Sequence, residues 1–143
     1  MTKIGIPNLD NQLEQSLISD LKKVEELMRS HIKGDYPLVV ETSRHLVEAG
    51  GKRLRPLLTL LSAQFGDPTN YDIIKAAVCC ELTHLATLYH DDVMDDAALR
   101  RGVVSANKKW DNAVAILTGN YLFSKVSDML ADIGPEAVKL QAK

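Results

Sequence analysis

From Ile73 to Leu88 the chain is apolar on almost every side: Ile73, Ile74, Ala76, Ala77, Val78, Cys79, Cys80, Leu82, Leu85, Ala86 and Leu88 occupy all faces at the helical period. This pattern predicts a helix over about 71–95, and a helix apolar all round needs neighbours on every face. The fold must therefore surround a central helix, and the rest of the sequence offers helices for the task. Leu9, Leu13, Leu17, Leu21, Val24, Leu27, Met28 and Ile32 recur every three or four residues and give one long helix a single apolar stripe, which Gly34 and Pro37 end. Further helices are predicted over about 38–48, from Arg55-Pro56 to Phe65, and over about 110–132. Gly134-Pro135 ends the last of these and opens another. The expected fold class is all-α, an antiparallel helix bundle.

The central helix and the helix at 110–132 carry more apolar surface than four amphipathic partners cover. After Pro135 only Glu136 to Lys143 remain, roughly 12 Å of helix. Residues 1–143 therefore read as part of a larger domain. A net charge of −2 gives no electrostatic footprint for nucleic acid, so any basic site is a local cluster. The opening MTKIGIPNLDNQLEQ places no apolar run behind its positive charge, and a signal peptide is not expected. No stretch approaches the roughly 18 apolar residues of a membrane span. Cys79 and Cys80 read as small buried residues of a cytoplasmic protein.

The central helix ends in the string HDDVMDD, which holds Asp91, Asp92, Asp95 and Asp96. A run of charge is usually a solvated face, but this one is badly placed for that. Aspartate is a poor helix former, and anions at a helix C-terminus oppose its dipole. Two carboxylates about 6 Å apart at an effective dielectric near 20 repel by roughly 3 kcal/mol, so several such pairs call for a counter-ion. Asp91 and Asp95 lie one turn apart on one face, and ligands of this kind suit Mg²⁺, which keeps waters and shares phosphate oxygens. A second cluster, Gly50-Gly51-Lys52-Arg53-Leu54-Arg55-Pro56, puts three cations on a glycine-loosened corner entering a helix, an arrangement that favours a phosphate. Arg100-Arg101-Gly102 follows the aspartates as a third. His84, seven residues before Asp91, shares a face with Asp91 and Asp95, whereas His31, His45 and His90 read as structural. The clusters together imply two polyanions, one held through metal by aspartates and one held directly by Lys, Arg and His.

With those residues in view, the chain resembles the trans-isoprenyl (polyprenyl) diphosphate synthases. The family's GGKxxRP element stands at 50–56 and its DDxxD motif at Asp91-Asp92-Val93-Met94-Asp95. Its Arg-Arg-Gly stands at 100–102, and its upstream histidine at His84. The resemblance runs from about residue 10 to the end. It implies the N-terminal part of an isoprenoid-synthase helix bundle, and a Mg²⁺-dependent prenyltransferase that joins isopentenyl diphosphate to an allylic diphosphate. By position it gives Asp91 and Asp95 to Mg²⁺, Asp92 to their support, and Arg100 to the allylic diphosphate. Lys52, Arg55, His84 and Arg101 fall to isopentenyl diphosphate, while Arg53 has no assigned role. It also implies a homodimer that uses the helix at 112–131.

Small residues before Asp91, Ala86 and Thr87, favour a medium- or long-chain product, because family members that make short chains typically place an aromatic at one of these positions. If Ala86 instead packs against a neighbouring helix, the floor is set by Cys79, Cys80 or Leu82. The family's domain is about twice this length and carries a second aspartate-rich motif, of which no Asp-Asp pair after Asp96 gives a sign. Gly119-Asn120-Tyr121 departs from the Gly-Asp-aromatic pattern of many relatives. Two other readings remain open. A truncated relative that folds and associates without turnover shares every motif, whereas a class I terpene cyclase lacks the GGKxxRP element.

Overall fold

Asp10 opens the first helix by accepting a hydrogen bond from the Leu13 amide at 3.0 Å, satisfying one of the free N–H groups of a helix start. In the computed structural model, which describes residues 4–34 and 36–143, helix α1 (Asn11–His31) is followed by α2 (Pro37–Glu48), α3 (Leu54–Ala63) and α4 (Asp72–Met94). Two short strands, β1 (Leu99–Arg100) and β2 (Val103–Val104), then pair antiparallel, Leu99 opposite Val104 and Arg100 opposite Val103. A single turn of helix, α5 (Ala106–Lys109), leads into α6 (Asn112–Ile133) and α7 (Pro135–Gln141). The all-α expectation holds, with a minimal hairpin inserted after the aspartates. The stretch between α4 and α6 contains that hairpin and α5.

Helix α4 is central in the way its pattern demands. It packs against α1, α3, α5 and, most extensively, α6. Buried side chains occur on all its faces, from Ile74, Ala77 and Val78 to Leu82, Leu85 and Tyr89. Cys79 is buried, and burial, with the neighbouring Cys80, pushes its thiol up to about 12. Cys80 departs from the expectation: it is exposed. The α4–α6 contact is close because Gly119 lacks a side chain. A Cβ there would stand 2.4 Å from His90 Nε2 and 3.0 Å from the Ala86 carbonyl oxygen. His90 fills the notch, near the Ile116 carbonyl at 3.3 Å and tilted over Phe123.

Gly119→Ala is therefore expected to destabilise the fold. The better helix propensity of alanine contributes at most about 1 kcal/mol, whereas displacing His90 and prising α6 from the α4 backbone costs about 1–3 kcal/mol. The net loss, up to about 2 kcal/mol with the full propensity gain subtracted, reads as a lower urea midpoint with an unchanged slope. A midpoint at or above that of the parent protein would show that the two helices are not locked at Gly119.

Candidate active site

The last turn of α4 sorts its aspartates by environment. Asp92 is fully buried, and its Oδ1 accepts from Arg100 Nε at 2.6 Å and Nη2 at 2.5 Å. Its other oxygen has no protein partner. Asp91 is half-buried and Asp95 exposed, one turn on along the same helix face. Asp96 takes a left-handed conformation at φ 49° and pairs with Lys108 at 2.5 Å in solvent. The Ala97 amide returns to the Asp92 carbonyl at 2.9 Å and closes the helix end. Arg100 thus pairs with Asp92, and Lys108 answers Asp96.

The basic corner is sorted in the same way. Lys52 and Arg55 are exposed, at the start of an α3 that has no side-chain cap, so the N–H groups of its first turn face outward. Arg53, which the sequence groups with them, turns inward and is 6% exposed. It donates to Glu25 of α1, to the buried Glu81 of α4 at 2.9 Å, and to the Val47 carbonyl at 3.0 Å. Burial alone would lower its pKa, but Glu25 and then Glu81 more than offset that and leave it raised.

Arg101 lies in the hairpin turn, where it and Gly102 both have positive φ, 52° and 80°, as a two-residue turn requires. Its guanidinium reaches the carbonyls of Leu46, at 3.1 Å, and of Gly50, and Glu81 at 3.4 Å. It lies flat over Gly51, where a Cβ would stand 3.0 Å from its central carbon. His45 holds the other end of the hairpin, with its Nε2 2.7 Å from the Val104 carbonyl and its ring edge-on to Trp110.

His84 is half-buried between the clusters. Burial depresses its pKa first and the charge of Arg55 next, with Arg101 adding to the fall and Glu81 and Asp91 opposing it. The hairpin ties the two clusters together, since Arg101 lies over Gly51 and reaches Glu81 while the preceding Arg100 pairs with Asp92. Sequence reasoning passed over Glu81, although a lone carboxylate inside so apolar a helix is itself a signal that partners surround it.

Among the described residues no three His, Cys, Asp or Glu side chains converge as a preformed metal cage. Among the described residues Asp91 and Asp95 have no ion-pair partner, whereas Asp92 is paired with Arg100. Two carboxylates suit a hard cation that keeps waters and completes its shell with phosphate oxygens. The donor set fits a metal shared with a ligand and not one enclosed by protein.

A groove of about 540 Å³ lies beside the N-terminal half of α4, bounded by Arg55, Leu58, Cys80, Thr83, Leu130 and Ile133 among others. Ala86 is fully buried against α6 and is absent from the groove wall, whereas Thr87 is half-buried and bonds the His84 carbonyl at 2.7 Å. The predicted apolar stripe of α6 divides as well. Leu122, Val126 and Leu130 are buried within the chain, while Ile116 and Leu117 remain 41% and 65% exposed.

Comparison with known proteins finds a match to the polyprenyl synthetase family model over residues 36–143. The chain is similar to the nonaprenyl diphosphate synthase of Mycobacterium tuberculosis, at 49% identity over 139 residues, 96% of this chain and 42% of that protein. It is similar also to heptaprenyl diphosphate synthase component 2 of Bacillus subtilis, at 40% identity over 144 residues, 97% of this chain and 40% of that one. Among solved structures it superposes on the polyprenyl synthase of Caulobacter crescentus complexed with calcium and isoprenyl diphosphate. The TM-score is 0.86 at 34% identity, covering 92% of this chain and 40% of that one. The chain spans about two fifths of the length of the curated relatives it matches.

Proposed function

The chain belongs to the polyprenyl synthetase family, and from that premise we propose that it is the diphosphate-binding half of a prenyltransferase that extends an allylic diphosphate with isopentenyl diphosphate. The observation that carries this reading is the hairpin at 99–104, whose Arg101 lies over Gly51 of the basic corner and whose Arg100 pairs with Asp92 of the carboxylate cluster. In this reading a metal-free anion site stands beside a carboxylate site.

In this reading Lys52, Arg55 and His84 hold the diphosphate of isopentenyl diphosphate, helped by the uncapped start of α3 and by Arg101. Asp91 and Asp95 would hold Mg²⁺, and what the metal supplies when bound is positive charge on the departing diphosphate. Arg100, fixed by Asp92, adds a second positive charge at the same place, so that carbon–oxygen cleavage leaves an allylic cation. The double bond of the neighbouring isopentenyl group attacks that cation, and loss of a proton restores neutrality in the longer chain. The apolar groove beside α4 receives the growing hydrocarbon and keeps water from the cation. With Ala86 turned into the α6 contact, Cys80 and Thr83 set the depth of that groove. Their small size fits a medium- or long-chain product, in keeping with the names of the nonaprenyl and heptaprenyl relatives. Residues 1–143 form the N-terminal part of the domain, and the rest of the site comes from further chain.

The same reading makes the protein cytoplasmic; no helix among the described residues is long and apolar enough to cross a membrane. It makes the whole protein a homodimer through the exposed start of α6, at Ile116 and Leu117. A monomer by light scattering at micromolar concentration would remove that element. The truncated, inactive alternative differs in one respect, that nothing supplies the missing half of the site.

Calorimetric titration with inorganic pyrophosphate tests the assignment. Binding without metal is expected to vanish in Lys52→Ala/Arg55→Ala, and the gain on adding Mg²⁺ to vanish in Asp91→Ala. Interchanged effects would mean that the two sites are assigned the wrong way round.

A pH dependence follows from His84. Its pKa lies below the usual 6.5, so near neutrality the ring of the free protein is uncharged. A bound diphosphate adds negative charge beside it and raises the pKa, and binding then takes up a proton. Affinity must rise as pH falls through that window, by at most about tenfold per unit. Titration in two buffers of different ionisation enthalpy reads the uptake directly. His84→Asn should leave only the protons taken up by pyrophosphate itself, and equal uptake in both proteins would exclude His84 from the site.

A further inference from the structure

Glu81 lies in the middle of the most apolar helix, is 2% exposed, and takes no direct part in the chemistry above. A carboxylate so placed persists only with partners on several sides. Its Oε1 accepts from Arg53 Nη1 at 2.9 Å and from Arg101 Nη2 at 3.4 Å. These arginines come from different basic motifs, Arg53 from the turn at 50–53 and Arg101 from the hairpin at 99–104. Both have positive φ, 49° and 52°, a conformation an arginine holds only when its surroundings impose it.

Each motif is also tied to the α2 end. Arg53 bonds the Val47 carbonyl, and Arg101 bonds those of Leu46 and Gly50. Gly51 brings the two together, because any side chain there would displace the Arg101 guanidinium. The neighbours in sequence are the proposed ligand-binding groups: Lys52 and Arg55 flank Arg53, and Arg100 precedes Arg101. His84 follows Glu81 by one turn of α4 and senses its charge. Moving either arginine off Glu81 shifts a ligand-bearing limb.

We propose that Glu81 is a positioning residue, a single buried carboxylate that registers the turn at 50–53 against the hairpin at 99–104 and thereby fixes Lys52 and Arg55 opposite His84. The proposal rests on the reading that those residues hold a diphosphate. It differs from a purely structural role, in which Glu81 would serve only to neutralise Arg53.

The test separates the two roles with a variant that keeps the fold. Arg53→Met/Glu81→Leu removes both charges and fills their space with apolar side chains, an exchange that buried ion pairs often tolerate. Two quantities are read from it: pyrophosphate affinity with and without Mg²⁺, and amide hydrogen exchange. The expected result is metal-free affinity lower by about tenfold or more, with the gain on adding Mg²⁺ largely kept. Exchange is expected to quicken at 50–53 and 99–104 together, with α6 unchanged. A cooperatively folding variant with parental metal-free affinity and parental exchange would overturn the proposal and leave the diphosphate reading intact.

If the parent protein itself binds no pyrophosphate without metal, it is the diphosphate reading that fails, and the exchange data alone decide for Glu81. Joint loosening of the two segments supports its positioning role, and unchanged or unlinked exchange refutes it. Should the double variant not fold, Glu81→Gln supplies the same two readouts with the side-chain shape retained.

Discussion

When this chain replaces the matching segment of the relative 49% identical to it, Asp91→Ala is expected to lower prenyl transfer by about three orders of magnitude or more, roughly 4 kcal/mol of transition-state stabilisation. The size follows from how few donors the site has. Asp92 is buried and committed to Arg100, and Asp96 faces Lys108, which leaves Asp91 and the exposed Asp95 to place a metal at the departing diphosphate. Removing one of the two ligands that this chain supplies leaves no other free carboxylate of its cluster to take its place. Lys52→Ala touches the other substrate. It should raise the KM for isopentenyl diphosphate by about tenfold to a hundredfold, the worth of one charge-assisted contact, with a smaller effect on kcat. Steady-state rates on both variants check the order. Lys52→Ala as the more damaging change in kcat would reverse the assignment.

Arg53→Ala is expected to cost about 3–5 kcal/mol in folding free energy, because it leaves Glu81 charged and buried without its nearest partner. Against a typical total of about 5–15 kcal/mol, such a loss brings the chain close to unfolding. Glu25, partly solvated, tolerates the loss better than Glu81, whose side chain is 2% exposed. The exposed pair Lys108–Asp96 is a useful contrast, because an ion pair in water is worth little. Lys108→Ala should leave the urea midpoint almost unmoved, whereas Arg53→Ala should lower it steeply. Equal midpoints for the two variants would show that the Arg53 network is not what joins α1, α2 and α4.

The sequence displays the features that repeat and hides those that depend on one torsion. The central position of α4 is legible because an apolar residue on every face admits no other place. The ends of α1, α2 and α6 are legible from Gly34, Gly50-Gly51 and Gly134-Pro135. The hairpin is not, since strands of two residues, at 99–100 and 103–104, are too short for an alternating pattern to appear. In the string GGKRLRP three cations look alike, yet the left-handed backbone at Arg53 sends one of them inward. A sequence does not report that torsion. Glu81 could have been found by asking what a carboxylate is doing among Cys79, Cys80 and Leu82.

Facing is equally hard to read when a helix is apolar all round. Nothing in the pattern tells that Cys80 meets the groove and Ala86 the Gly119 notch. The α6 stripe poses the same difficulty: Leu122, Val126 and Leu130 go to the chain's own core, and the surplus lies at Ile116 and Leu117. The motif spacing groups the charged residues along the chain and goes no further. Their division into pinned groups (Arg53, Asp92, Arg100, Arg101) and reaching groups (Lys52, Arg55, Asp91, Asp95) emerges only with the side chains in place.

The most direct measurement is the reaction itself. The same chimera, purified and shown by its melting transition to be folded, is incubated with isopentenyl diphosphate, an allylic diphosphate and Mg²⁺, and its products are resolved by chromatography after removal of phosphate. The account predicts prenyl alcohols longer than the allylic starter, formed only when metal is present and lost in Asp91→Ala. A folded chimera that leaves both diphosphates unchanged, while the intact relative elongates them under the same conditions, would contradict it.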